Sequence, residues 1–302
     1  MRPVRILLFI LFISLPLNAV AELSGGDLPA ARWYAHVDLV EMRSSDAGMQ
    51  LYAWLEEEMF DQLREKIGFD ADQEANFITA LATPEGGTLI VVDGDFSQET
   101  QDGLLAIGAT ASKFNMLEHD GKAYYQIDDD DRSGRDDESS FENGAFMSLA
   151  IEDKLIITSS EEQMRQIFGS DGRIPGDYDN DGALMVLRGT KSLVQAGMQT
   201  NEFSDDLGWD SNMLRNTEQL GLLVSDEKGM LAVEAQLVAG EEKMANSLAS
   251  IVRGLISLQA FSDDIDPELS QFLNDTAVTV DGSTLTVKVV VDPQLLVDVI
   301  VD

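Results

Sequence analysis

The pattern in this chain with the most defined chemistry is Asp177-Tyr178-Asp179-Asn180-Asp181-Gly182. A calcium loop needs oxygens at positions 1, 3 and 5, glycine at 6 for a sharp turn, and a bidentate glutamate at 12. Asp177, Asp179 and Asp181 with Gly182 meet the first part, which makes the three aspartates the candidate metal ligands and calcium the cofactor they would take. Position 12 is Arg188, a cation where the closing carboxylate belongs. In a chain with 55 acidic residues, the bland reading is an acidic turn. The run from Asp128 to Asn143, with Asp128, Asp129, Asp130, Asp131, Asp136, Asp137 and Glu138, supplies oxygens without geometry and reads as a long solvated loop.

Any imidazole chemistry must use one of two histidines, His36 and His119. His36 shares a strand face with Tyr34 and Asp38, since residues two apart point the same way. A His–Asp pair is one ingredient of an acyl-transfer triad, but no Gly-x-Ser-x-Gly elbow supplies a nucleophile, and Ser97 and Ser160 stand where helix caps belong. His119 precedes Asp120-Gly121, a hairpin-turn pair, and reads as an exposed tip. Two carboxylates about 5 to 9 Å apart would suffice for glycoside hydrolysis, a condition that so acidic a chain meets in almost any fold. Trp54 lies near the apolar stripe of a helix, and Trp209 stands in a loop-like stretch suited to an exposed contact. The sequence carries no phosphate loop, dinucleotide fingerprint or His-rich metal motif. It assigns no catalytic residue and no cofactor-binding residue.

Composition limits the setting. Met1 to Arg5 is a short cationic start, Ile6 to Leu17 is an apolar run broken only by Ser14 and Pro16, and Ala19-Val20-Ala21 is a small-x-small pattern. That order predicts a secretory signal peptide over residues 1–21. The apolar run is too short for the roughly 20 residues that cross a bilayer. Cleavage would remove Arg2 and Arg5 and take the formal charge from −35 to −37. Such a surface repels phosphate backbones and anionic headgroups, so neither nucleic acid nor a membrane surface is expected as a partner. The sequence has no Cys, which excludes disulfides, thiolate nucleophiles and Cys-ligated metal sites. Export then predicts a periplasmic or secreted product held together by buried apolar surface alone.

The elements that must position these residues alternate. Trp33 to Leu39 predicts a half-buried strand with Trp33, Ala35, Val37 and Leu39 on one face. Tyr52, Leu55, Met59, Phe60 and Leu63 form the stripe of a helix over about Ala47 to Ile67. Gly87 to Val92 predicts a strand, followed by a helix capped by Ser97. Ala145 to Ile151 and Lys154 to Thr158 predict a hairpin, followed by a helix opened by the capping box Ser160-Glu161-Glu162-Gln163. Met244, Leu248, Val252 and Leu255 mark the apolar face of a long helix that contains Gly254, where a close helix–sheet contact would offset the cost of glycine.

The second half repeats the order of the first. Ala47-Gly48-Met49-Gln50 recurs as Ala196-Gly197-Met198-Gln199, and at the same offset Trp33 to Asp38 lies over Gly182 to Leu187. Leu89 to Val92 corresponds to Leu231 to Leu237, and Lys154 to Thr158 to Leu285 to Val291 before Asp292-Pro293. These blocks predict an α+β protein of two related units, 22–172 and 182–302, joined by the polar linker 173–181, each with a mostly antiparallel sheet and helices packed on it. Trp33-Tyr34-Ala35-His36-Val37-Asp38, followed by Met42-Arg43-Ser44-Ser45 and Gly48, resembles the start of uncharacterised exported bacterial proteins built from paired α+β units. That resemblance implies the same fold and transfers no site residue. The expected role is a non-enzymatic binding or interaction protein of the cell envelope, with a protein partner. The alternatives are an exported hydrolase working through carboxylates and a calcium-dependent module.

Overall fold

The computed structural model describes residues 32–82, 87–111, 113–128, 144–173, 182–191, 217–260 and 275–294. The signal peptide, Asp177, Asp179 and Asp181, most of the acidic loop, nearly all of the linker, the second Ala-Gly-Met-Gln and Trp209 lie outside these residues.

The described chain is a mixture of helices and antiparallel strands. Strand β1 (Trp33–Asp38) ends where Asp38 caps α1 (Leu39–Ser44), its Oδ1 accepting the Glu41 N–H at 2.7 Å. Ser45 then caps α2 (Asp46–Leu55). The expected single helix is interrupted at Glu56–Phe60 by a π-helical turn, in which the Asp61 N–H reaches back five residues to the Glu56 carbonyl. The extra residue in that turn re-phases the apolar stripe, and Phe60 is fully buried. Helix α3 (Asp61–Ile67) follows and ends on Gly68, which takes the left-handed conformation at φ 75°. A short turn, α4 (Ala71–Glu74), is clamped to α1 by the Arg43 guanidinium, which donates to the Ala71 and Ala75 carbonyls at 3.0 Å. Beside it, burial pushes the Tyr52 phenol up to about 12.

Next come β2 (Phe77–Ala82), β3 (Thr88–Asp93) and α5 (Gln98–Gly108), the last capped by Ser97 as the sequence predicts. Then β4 (Lys113–His119), β5 (Lys122–Asp128), β6 (Ala145–Ser148), β7 (Lys154–Thr158) and α6 (Glu161–Gly169) complete the first half. The second half supplies β8 (Ala183–Thr190), β9 (Thr217–Glu227), β10 (Met230–Ala239), α7 (Glu242–Ala260), β11 (Ala277–Asp281) and β12 (Thr284–Val291).

Among the described residues one sheet holds all twelve strands, in the order β11-β12-β10-β9-β8-β1-β2-β3-β7-β6-β5-β4. The two halves thus share a single sheet, a question that the sequence leaves open. Strand β1 pairs with β8 from Trp33↔Gly189 to Val37↔Met185 and joins the halves. This central place also explains why Tyr34 is as buried as Trp33, at 3 % and 2 % exposure, although local alternation predicts one wet face. The larger core lies where α1, α2, α3 and α5 cover one face of the sheet, with Leu39, Leu51, Phe60, Ile78, Leu155 and Leu231 among its members. On the other face α6 presses Met164, Ile167 and Phe168 against Val91, Ile156 and Tyr124. Helix α7 buries Leu248 and Ala249 against Leu285.

Two expectations for α7 fail. An added Cβ at Gly254 would meet nothing within 4 Å, so no close contact explains that glycine. Leu255 is 39 % exposed and belongs with Ile251 and Leu258 on the outer side of the helix.

Candidate interaction edge

Of the residues singled out for chemistry, His36, Asp38 and His119 are among those described, and each contacts its neighbours in the fold. His36 Nδ1 lies 2.9 Å from Thr79 Oγ1, and its ring stacks on Phe77 at 5.8 Å and on Tyr34 at 6.3 Å. Asp38, which the sequence places on the same strand face, caps α1. His119 Nε2 stands 3.5 Å from the Asp120 carboxylate at the hairpin tip, as the sequence predicts. Among the described residues no three His, Asp or Glu side chains converge as metal ligands. A polar hollow of about 260 Å³ is lined by Asp95, Gln101, Glu152, Asp153 and Lys154. Lys154 is held there by Asp93.

The two ends of the sheet differ. An open sheet exposes a row of backbone N–H and C=O groups on each edge strand unless something covers them. At one end, β11 runs for 5 residues, and α7 packs along it. The Arg253 guanidinium donates to the Val278 carbonyl at 2.7 Å, so a side chain occupies an outward acceptor of that edge.

At the other end, β4 runs for 7 residues beside β5. Asp120 and Gly121 join them with φ of 50° and 74°, the double positive φ of a type I′ turn. In such a two-residue hairpin the bracketing residues form a hydrogen-bonded pair, here His119↔Lys122. Pairing then alternates, so Leu117, Asn115 and Lys113 bond to β5, while Phe114, Met116 and Glu118 turn their N–H and C=O groups outward. Among the described residues no backbone partner takes those outward groups.

The side chains of Phe114, Met116 and Glu118 share the sheet face on which α5 lies. Phe114 stacks on Tyr125 with ring centres 5.2 Å apart, and the last glycine of α5, Gly108, sits against the Phe114 ring so closely that an added Cβ would come within 2.7 Å of it. Met116 is 68 % exposed and Ile107, beside Gly108, is 48 % exposed. The corner therefore presents apolar side chains next to an open backbone ladder.

The hairpin is anchored from behind. Tyr124 is buried and donates its hydroxyl to Glu161 Oε1 at 2.7 Å, while Arg165 holds the same oxygen at 2.6 Å. Those two donors hold the Glu161 carboxyl below the usual carboxylate range, and burial with the Glu161 hydrogen bond raises the Tyr124 phenol. Lys122 Nζ donates to the Phe168 carbonyl at 3.1 Å and lies 5.7 Å from the centre of the Phe168 ring. Sequence reading placed the turn and both strands but did not single out Met116. The only signal was an apolar residue between Phe114 and Glu118 on one face of a strand.

No protein-family model and no curated protein matches the sequence. Two solved structures of TP0453 are similar in fold. Crystal form IV aligns over 94 % of this chain and 98 % of that one at 10 % identity, with a TM-score of 0.52. Crystal form III aligns over 95 % and 96 % at 10 % identity, with a TM-score of 0.50. At that identity the likeness concerns the fold alone.

Proposed function

We propose that this chain is an exported, non-enzymatic binding protein of the cell envelope that engages a protein partner at the β4 end of its sheet. The observation that carries the reading is the open β4 ladder flanked by Met116 and Ile107, exposed apolar side chains on ordered elements of an acidic molecule. Export rests on the 1–21 signal pattern. A crosslinked pull-down of the processed protein from its native envelope, read by mass spectrometry, tests the reading. Recovery of a polypeptide crosslinked to residues 107–118 is expected. Recovery of nothing above a variant with a scrambled surface overturns it.

We also infer that the two halves descend from one duplicated unit, a history supported by their matching order. Strands β1, β2, β3 and helix α5 run outward from the centre as do β8, β9, β10 and α7. Strand β7 pairs with β3 as β12 pairs with β10. In this reading β4 and β5 are an addition to the first unit, inserted between α5 and β6. The inserted hairpin carries the sheet two strands beyond β6.

A further inference from the structure

We infer that β4 is a strand-acceptor edge whose occupant is an extended, cationic segment of a different polypeptide, about seven residues long with apolar residues at alternate positions. This rests on the binding reading above and specifies how the partner is held. The outward N–H and C=O groups of Phe114, Met116 and Glu118 offer three donors and three acceptors in line, the pattern that strand addition uses for affinity. Alternate side chains of an added strand fall on the face of Phe114, Met116 and Ile107, where apolar groups cover Met116.

Charge decides between occupants. Glu118 is exposed on that face and Asp120 stands at the tip with its side chain 78 % exposed. The one lysine of β4, Lys113, is already paired with Asp128 at 2.8 Å. A second copy would bring another −35 to the same edge, and self-pairing about Met116 would set Phe114 against Glu118. A strand bearing lysine or arginine meets Glu118 favourably and is drawn in by the field of the whole molecule.

The test uses the full processed chain and a synthetic nine-residue peptide that alternates threonine and valine between terminal lysines. Amide hydrogen exchange is followed at Phe114, Met116 and Glu118. These amides exchange freely in the unbound protein, and saturating peptide slows them by about tenfold or more. The same peptide N-methylated at alternate amides loses this protection, because it cannot complete the ladder. With glutamates at its ends, the peptide binds about tenfold more weakly.

Met116→Pro removes one outward donor and no β4–β5 bond, so it abolishes protection while the circular dichroism spectrum stays native. Met116→Lys, which keeps the backbone intact, weakens the peptide in parallel if proline disturbs the hairpin. Protection of the Phe114, Met116 and Glu118 amides in the free monomer overturns the inference, as does a peptide that slows none of these three. Protection that rises with protein concentration alongside dimers in sedimentation velocity assigns the edge to a second copy and also overturns it. A pull-down partner crosslinked only away from β4 removes the strand-acceptor inference and the β4 location while leaving a binding protein. No partner at all removes the binding reading itself.

Discussion

The two edges of this sheet solve the same physical problem in opposite ways. At β11, α7 lies alongside and Arg253 occupies the Val278 carbonyl, so the row of backbone groups is shortened and partly taken. At β4 the strand is longer, the nearest helix ends at Gly108, and Met116, the middle one of three outward residues, stands in solvent. An uncovered edge invites pairing, and folded proteins usually blunt such edges. The difference comes from connectivity. In the second half the last hairpin follows a helix of 19 residues that packs along the edge strand, whereas in the first half the β4–β5 hairpin adds two strands beyond β6 and α5 ends at Gly108.

Removing the cover should give the largest effect. Leu248 is buried at 3 % exposure and ties α7 to Leu285, so Leu248→Ala should cost about 2 to 5 kcal/mol, read by calorimetry. The same variant should speed amide exchange in β11 while leaving β4 unchanged, and equal changes at both edges would break the comparison. Tyr124→Phe deletes the hydroxyl that ties the open hairpin to α6, with an expected loss of about 0.5 to 1.5 kcal/mol in denaturant unfolding. Exchange should then quicken at β4 and β5 and stay unchanged at β11.

Acid should destabilise the fold by a smaller amount, at the open hairpin through Glu161 and near the middle of the sheet through Asp226. Glu161 is held below its usual range by the Tyr124 hydroxyl and Arg165, and Asp226 by the N–H groups of Gly229 and Ala47. A carboxyl whose folded pKa is depressed contributes stability that is complete above its unfolded value of about 4 and is lost as pH falls through the folded value. Unfolding followed from pH 6 to pH 2 should show this decline, and Asp226→Asn should flatten part of it. The smallest change is expected from Arg253→Ala, about 0.2 to 1 kcal/mol for an exposed contact. Its use is in sharpening the comparison, since it frees the Val278 carbonyl and should let the alternating peptide slow exchange in β11 as well.

Much of the secondary structure was legible before any fold was known. Asp120-Gly121 predicted a hairpin, Ser97 and Ser160 predicted helix starts, and each cap accepts the expected backbone N–H. These signals are local, so a few neighbouring residues suffice to read them. The π-helical turn at Glu56–Phe60 was not legible, because periodicity alone does not mark an inserted residue. Gly254 misled for a related reason. Glycine in a helix suggests close packing, yet only the placement of α7 shows that this glycine faces open space. The candidate site was barely legible at all. Met116 reads as one apolar residue in a strand, and what makes it notable is that β4 has a neighbour on one side only.

By itself, then, the sequence determined the α+β class, the caps and turns, the absence of thiol chemistry, and a formal charge of −35. Periodicity, capping and formal charge belong to residues or short windows, and they survive any arrangement of the elements. Tertiary structure alone decided that β1 and β8 join two halves into one sheet, that Asp38 caps a helix instead of orienting His36, and that β4 is left open while β11 is covered. Those outcomes depend on which strands pair across about 150 residues of chain. That choice is set by the burial of both faces at once, which no local pattern encodes.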